Sequence, residues 1–298
     1  MTDAPLVAGV ELGGTKCVCV LATGPGDIRA EARVPTTTPG ETLPAIEAIL
    51  DRWAQEHRFA ALGLASFGPV DVDRASPTYG AITATPKPGW RHVDVAQRLI
   101  ARFAVPTGFD TDVSGAALAE GRWGGAQGLE SFCYVTVGTG VGVGVISSGQ
   151  PVRGLGHAEV GHLRIARAPG DSWPGACIYH GGCVEGLASG FAVEQRTGQR
   201  GETIGADDPV WGLVAHALGG MCHNLVLTAV PQRILIGGGV ATKQPQLIPL
   251  IRAALIESLA GYAEADRIAA QIDAFIVPPA LGDQAGPMGA IALGLDAL

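Results

Sequence analysis

Two cysteines and a histidine are spaced Cys177-x2-His180-x2-Cys183 in the segment CIYHGGC. Thiolate and imidazole are the ligands that tetrahedral zinc prefers, and such a site needs a fourth ligand, for which His162 and His157 are the candidates. Because four protein ligands leave no open position for a reactive water, we expect a closed structural zinc site. The alternative is a pair of buried thiols beside a surface histidine.

A glycine-rich turn, Gly13-Gly14-Thr15-Lys16, follows an apolar run near the N-terminus. It is not a P-loop, which needs four residues between its glycines, a Gly-Lys-Ser/Thr ending and a following helix. Turn glycines let backbone N–H groups converge on phosphate oxygens, while Thr15 and Lys16 add a hydroxyl and a positive charge. Glu11 would face the same pocket. An ordinary hairpin turn is the alternative.

A second turn of this kind lies in the middle of the chain, and a glycine run after the strand RILI offers a third close backbone approach. Their residues are Gly138-Thr139-Gly140 and Gly237-Gly238-Gly239. Two phosphate-binding turns, one in each half, predict a nucleotide held between two lobes.

Phosphoryl transfer also needs a carboxylate to accept the proton of the attacking hydroxyl, and Mg²⁺ to bridge phosphate oxygens. Asp110 and Asp112, in FDTDVSGAALAEG, lie between a short apolar run and a helix-like segment. An Asp before a helix is more often an N-cap, although capping and catalysis are compatible. The residue types do not choose between the two aspartates.

The elements that position these residues alternate between strand and helix. Strands are predicted in VAGVELGGTKCVCVLA, on both sides of the glycine turn, and in IRAEARV, AALGLAS, SFCYVTVGTGVGVGVISSG and RILI. Leu43, Ile46, Leu50 and Trp53 have helical spacing behind a Thr-Pro-Gly-Glu cap, and a long helix is expected near 208–229. Each half opens with a hairpin whose turn contains Gly-Thr, which indicates a duplicated α/β unit.

The chain has 298 residues and a formal net charge of -8. The acidic balance argues against nucleic acid or an anionic membrane as partner, and CIYHGGC lacks the basic and aromatic surroundings of a knuckle that binds nucleic acid. No apolar stretch approaches the roughly 20 uninterrupted residues of a membrane span. Six cysteines, behind an N-terminus without signal-peptide features, predict reduced thiols and a cytoplasmic protein.

Taken together, the motifs resemble those of the ROK sugar kinases, and within them the bacterial fructokinase branch. The resemblance runs from about Val7 to the C-terminal GDQAGPMGAIALG and is carried by ELGGTK, SFGPVDVD, SPTYGAITATPKPGW, TDVSGAAL, VGTGVGVG, GHAEVGH, CIYHGGCVEGLASG and ILIGGGV. It implies the actin-like, RNase-H-like duplicated α/β fold, with a nucleotide and sugar cleft between two lobes. We expect a small lobe over 1–113, on which a helix at about 285–298 packs back, and a large lobe with the zinc loop over 114–284.

The resemblance assigns the catalytic base to Asp112 and demotes Asp110. Thr111 stands at a sugar contact where many relatives have Asn. Glu11 stands where relatives outside this branch usually carry Asp, at the position implied to help bind Mg²⁺. Gly89 and Trp90 end the loop that closes over the sugar.

Further assignments follow from the resemblance alone. In GHAEVGH, Glu159 would bind sugar hydroxyls, while His162 would be both part of the sugar site and a zinc ligand. Glu185 matches a second sugar-binding glutamate. With His162 as fourth ligand, the zinc would fix Glu159 relative to Glu185. The nucleotide contacts implied are Thr139, Gly190 and the glycines from Gly237 to Gly239.

The reaction implied is transfer of the ATP γ-phosphoryl group to the 6-hydroxyl of a hexose, most specifically D-fructose, by a homodimer. One alternative is another hexose: mannose, glucose or an N-acetylhexosamine. A second is a sugar-responsive repressor, which needs an N-terminal helix-turn-helix for which the first glycine turn leaves no room. A third is a non-catalytic sugar or nucleotide binder, which the Asp112 carboxylate and both turns disfavour.

Overall fold

The computed structural model describes residues 4–298; residues 1–3, part of the N-terminal stretch without signal-peptide features, lie outside the described residues. The strands are β1 Val7–Leu12, β2 Lys16–Gly24, β3 Asp27–Pro35, β4 Ala61–Ser66, β5 Thr107–Thr111, β6 Phe132–Val137, β7 Val141–Ser147, β8 Gln150–Pro151, β9 Ile234–Gly237 and β10 Ile276–Val277. The α-helices are α1 Pro39–Glu56, α2 Ala96–Phe103, α3 Asp112–Trp123, α4 Val184–Ala188, α5 Gly190–Thr197, α6 Val210–Thr228, α7 Gly239–Lys243, α8 Leu247–Leu259, α9 Ala265–Ala270, α10 Ile272–Phe275 and α11 Ala285–Leu295. The predicted strands and helices are confirmed.

The chain forms two compact units, one of residues up to 127 with 151–158 and 283–298, the other of 128–150 and 159–282. The sheet of the first unit has the order β3-β2-β1-β4-β5, and the other sheet has the order β10-β9-β6-β7-β8. In both, a hairpin opens the sheet (β1 with β2, β6 with β7) and its first strand pairs in parallel with a later strand, β4 or β9. This repeated pattern confirms the predicted duplicated α/β fold.

Helix α1 packs on one face of the first sheet. The four residues with helical spacing, Leu43, Ile46, Leu50 and Trp53, are all buried in a common core with residues of β1 and β2. The N-terminus differs from the expected cap, because the Thr38 hydroxyl donates to the Glu41 carboxylate and accepts no backbone N–H. Pro at the first helical position, which has no N–H to satisfy, reduces the need for that acceptor.

Helix α11 covers the other face of the first sheet, against β1, β4 and β5, and packs along α3. The approach requires glycine in the sheet, because a Cβ at Gly63 would lie 1.7 Å from the Ala290 carbonyl oxygen. The boundary expected near residue 113 falls at the first turn of α3. Since α3 packs on α11, the first unit includes all of α3 and continues to residue 127.

Among the residues that the structure describes, one helix, α6, is long and apolar enough to cross a membrane by length and composition, but 61% of its most apolar window is buried. It packs against α8 and α4 inside the second unit. These contacts are those of a core helix.

Candidate active site and metal centre

The predicted functional residues of the first unit follow the carboxyl ends of its parallel strands. Leu12, Ser66 and Thr111, the last residues of β1, β4 and β5, are aligned in register across the sheet. The glycine turn follows β1, and Asp112 follows β5. Open α/β sheets bind ligands at this edge, because the loops there are free of strand pairing and helices begin there.

The turn of residues 13–16 has a backbone suited to an anion. All four of its carbonyl oxygens accept hydrogen bonds from the protein: Gly13 O from Thr36 Oγ1 (2.8 Å), Gly14 O from Lys87 Nζ (2.6 Å), Thr15 O from Thr36 N (3.0 Å) and Lys16 O from Gly13 N (3.1 Å). Within residues 4–298, no backbone acceptor binds the N–H groups of Gly14 and Thr15. The turn therefore offers backbone N–H donors, while its carbonyl oxygens are occupied by hydrogen bonds within the protein. This arrangement suits a phosphate group.

Glu11 lies on β1 directly before this turn. Burial raises the pKa of its carboxyl from 4.5 to about 7, and the nearby Lys16 charge lowers it by a smaller amount. The first turn of α11 lies against the carboxylate, since a Cβ at Gly286 would lie 2.0 Å from Glu11 Oε1. A buried carboxyl that favours its neutral form becomes a good cation ligand when a divalent ion supplies the missing charge, so this position suits Mg²⁺.

Asp110 and Asp112 have different environments, which the sequence could not distinguish. Asp110 is fully buried and forms an ion pair with Arg153, whose Nε lies 3.0 Å from Oδ2, and it accepts the Thr111 N–H. Asp112 is partly exposed at the start of α3, and its Oδ1 accepts the Val113 N–H. Neither is the N-cap of α3. The chemistry of a general base therefore suits Asp112, because Asp110 is committed to an internal ion pair.

The N-cap of α3 is Thr111, whose hydroxyl accepts from Ser114 N at 3.1 Å and donates to Ser114 Oγ at 2.8 Å. This buried hydroxyl therefore caps α3, a structural role that differs from the expected sugar contact.

Gly89 and Trp90 lie in the loop of residues 83–93. Trp90 is completely buried, its indole N–H donates to Thr37 O at 2.8 Å, and its ring packs edge-on against Phe67. Gly89 has φ 78°, in the left-handed region that favours glycine. Trp90 thus anchors the loop, and Gly89 makes the bend before that anchor.

In the second unit, the predicted nucleotide contacts lie together at the corresponding edge. The N–H of Gly190, which begins α5, donates to Gly138 O at 2.7 Å, and Phe191 N donates to Thr139 O at 3.4 Å. Gly237 ends β9 beside Thr136 of β6, and a Cβ at Gly238 would lie 2.5 Å from Val137 N. Gly239 begins α7, so three glycine segments meet at one edge.

His162, Cys177, His180 and Cys183 form one cluster, with all ligand atoms within 4.8 Å of one another. Cys177 Sγ lies 3.7 Å from Nδ1 of both histidines, and Cys183 Sγ lies 3.6 Å from His162 Nδ1. Zinc bond lengths of about 2.3 Å to sulfur and 2.0 Å to nitrogen place tetrahedral S and N ligands about 3.5 Å apart. The four residues therefore fit a closed tetrahedral zinc site. His157 is outside the cluster, because its Nε2 accepts the Val70 N–H at 3.0 Å.

The cluster lies beside the two glutamates implied for sugar binding. Glu185 Oε1 lies 4.0 Å from His162 Nε2, the ring nitrogen opposite the one that faces the thiols, and Glu185 Oε2 accepts the Val141 N–H at 3.1 Å. Glu159 is exposed and its carbonyl accepts the His162 N–H at 3.0 Å. His162, a member of the metal cluster, thus lies next to the Glu185 carboxylate through its ring and is bonded to Glu159 through its backbone.

Two contributors were not anticipated. Arg153, which neutralises Asp110, is 43 residues away in sequence and belongs to no motif. Lys87 lies within the motif SPTYGAITATPKPGW, but its position in the sequence does not indicate a contact with Gly14. The positive charge of Lys87, within a motif of the sugar kinases, could have indicated a role at the site. Nothing in the sequence around Arg153 indicates its ion pair with Asp110.

Comparison with known proteins identifies the family of this chain. The ROK family profile matches residues 7–297. The fructokinase of Pediococcus pentosaceus is 41% identical over 293 residues, covering 98% of this chain and 99% of that protein. The fructokinase of Zymomonas mobilis is 42% identical over 308 residues, covering 99% and 98%. A crystal structure of the ROK family glucokinase of Streptomyces griseus, in complex with glucose and AMPPNP, superimposes with a TM-score of 0.77 at 27% identity, covering 98% and 99% of the two chains. The chain belongs to the ROK family.

Proposed function

We propose that this protein is an ATP-dependent hexose kinase that phosphorylates the 6-hydroxyl of D-fructose. The observation that carries the proposal is that one sheet edge of the first unit bears both a turn of open N–H donors and the partly exposed Asp112 carboxylate. The relatives about 41% identical over nearly the full length are fructokinases, which favours fructose among hexoses.

In the proposed reaction, the fructose O6 attacks the γ-phosphorus, the bond from that phosphorus to the β-phosphate bridging oxygen breaks, and ADP leaves. Asp112 accepts the O6 proton as the O6–P bond forms. The N–H groups of the 13–16 turn bind phosphate oxygens and stabilise the charge that develops on them. Mg²⁺, when bound, would neutralise phosphate charge, and the Glu11 carboxylate would help to hold it.

The sugar would be held by Glu159 and Glu185, beside His162 of the metal cluster. A zinc ion in the cluster would take no part in phosphoryl transfer, because four protein ligands close its coordination. Its role would be to fix His162, and through it the Glu185 carboxylate, so that sugar hydroxyls meet a preorganised acceptor. Thr139, Gly190 and the glycines at 237–239 would contact the nucleotide.

We also propose that the protein is a cytoplasmic homodimer and that it has neither nucleic acid nor a membrane as partner. The acidic net charge of -8 supports the absence of polyanionic partners. Six free cysteines agree with a reducing compartment.

A second candidate is a kinase for another hexose, because the solved glucokinase with a TM-score of 0.77 shares this fold and was crystallised with glucose. ADP release measured with fructose, glucose, mannose and N-acetylglucosamine separates the two. The proposal expects fructose to give by far the highest kcat/KM. Equal rates across the four sugars, or a preference for another sugar, would remove the fructokinase assignment while keeping the kinase.

A further inference from the structure

The Lys87 ammonium donates to the Gly14 carbonyl at 2.6 Å, across 73 residues of sequence. The side chain is partly buried, whereas Lys16 in the turn itself is exposed. A charged donor at this distance forms one of the stronger classes of hydrogen bond. Lys87 therefore binds the turn directly through its ammonium group.

The position of this bond determines where the next N–H points. In a trans peptide, the carbonyl of one residue and the N–H of the next point in opposite directions. With Gly14 O fixed toward Lys87, the Thr15 N–H must point away from it, and this is one of the two N–H groups of the turn without a backbone acceptor within residues 4–298. Gly14 has no Cβ, so its own dihedral angles restrict the orientation of this peptide less than those of another residue would.

A second route joins the same loop to the same turn. The Trp90 indole donates to Thr37 O at 2.8 Å, and the preceding residue, Thr36, holds Gly13 O and Thr15 O. Loop 83–93 therefore contacts the turn directly through Lys87 and indirectly through the Thr36–Thr37 segment. A movement that carries Lys87 or Trp90 away from these acceptors would break the corresponding contact.

We propose that Lys87 is a positioning residue that orients the Gly14–Thr15 peptide toward the nucleotide phosphates and couples this orientation to loop 83–93. The inference rests on the proposed kinase function and on the expectation, from the resemblance to the ROK sugar kinases, that this loop closes over the sugar. Sugar that orders the loop would then also order the phosphate turn, so ATP is held for transfer when an acceptor is present.

The test compares Lys87→Met, Lys87→Arg and a matched control, Arg91→Gln, which removes a positive charge from the exposed part of the same loop. Affinities for AMPPNP and for AMP are measured by calorimetry with and without fructose, together with melting temperatures. We expect Lys87→Met to weaken AMPPNP binding roughly tenfold to a hundredfold. AMP, which lacks the β- and γ-phosphates, should lose less. Fructose and AMPPNP should no longer strengthen each other's binding, Lys87→Arg should recover part of both effects, and Arg91→Gln should match the unmodified protein.

Two results would overturn the inference. One is Lys87→Met with unchanged AMPPNP affinity and unchanged mutual effect of fructose and AMPPNP. The other is a Lys87→Met protein whose melting temperature and fructose affinity fall while its AMPPNP affinity without sugar is unchanged. That result would mean that Lys87 only stabilises the loop. If the unmodified protein binds AMPPNP but none of the hexoses, the proposed function fails, and the ratio of AMPPNP to AMP affinity alone decides the role of Lys87.

Discussion

The Glu185 carboxylate joins His162 to the second glycine turn: Oε1 lies 4.0 Å from His162 Nε2, and Oε2 accepts the Val141 N–H at 3.1 Å. The opposite nitrogen of His162 faces the two thiols. A metal-ligating histidine commonly donates its other N–H to a carboxylate, which fixes the tautomer and the orientation of the imidazole ring. The metal cluster and the strand that follows the second glycine turn therefore share one carboxylate, and it is the carboxylate proposed to bind the sugar.

This relationship predicts a role for the metal in sugar binding. Elemental analysis should find about one zinc per chain. Cys177→Ser should lower zinc content, the melting temperature and fructose affinity together, because Glu185 loses the histidine that orients it. AMPPNP affinity should change much less. A proven zinc-free protein with normal fructose kinetics would contradict the proposed role of the metal.

Gly140 provides a test of Glu185 that leaves the metal ligands untouched. A Cβ at this position would lie 2.5 Å from Glu185 Oε2, so Gly140→Ala should displace the carboxylate and raise the KM for fructose roughly tenfold. Zinc content should stay normal. Gly212→Ala is the matched control, since a Cβ there meets nothing within 4 Å. An unchanged KM for fructose in Gly140→Ala would mean that Glu185 does not position the sugar.

The two aspartates should respond differently to replacement by asparagine. Asp112→Asn should fold normally and lose about two to four orders of magnitude in kcat, because the acceptor of the O6 proton is gone. Asp110→Asn should mainly lower the free energy of unfolding, by about 1–3 kcal/mol, because it leaves Arg153 without its buried partner. Urea unfolding and steady-state kinetics on both variants separate these effects. Near-normal turnover in Asp112→Asn would move the base to another residue.

Glu11 should make stability depend on pH in the absence of nucleotide and Mg²⁺. Its pKa is raised from 4.5 to about 7, so between these values the folded state binds more protons than the unfolded state. Its contribution to the free energy of unfolding therefore falls as pH rises through that window, by up to about 3 kcal/mol, and is constant above it. Glu11→Gln should remove this decline, as measured by urea unfolding at pH 5 and pH 8. An identical pH dependence in both proteins would show that the Glu11 carboxyl is not perturbed.

Much of this architecture was predictable, because glycine turns between apolar runs mark hairpins wherever the chain continues as strand. The members of the metal cluster were equally predictable, since three of them lie within seven residues of sequence. The spacing alone does not distinguish His162 from His157 as the fourth member of the cluster. The family resemblance favours His162, and the tertiary structure shows that His157 instead accepts the Val70 N–H. Similarly, the boundary expected near residue 113 was displaced by the packing of α3 on α11, a contact between segments about 170 residues apart. Such long-range contacts have no local pattern in the sequence.

The most direct test of the proposed function is the identity of the product formed from ATP and D-fructose. Purified protein with Mg²⁺, ATP and fructose should give ADP and a sugar phosphate in equal amounts, and phosphorus–carbon couplings in the NMR spectrum should place the phosphate on O6. ADP release that is independent of fructose, or phosphate found on another oxygen, would contradict the account.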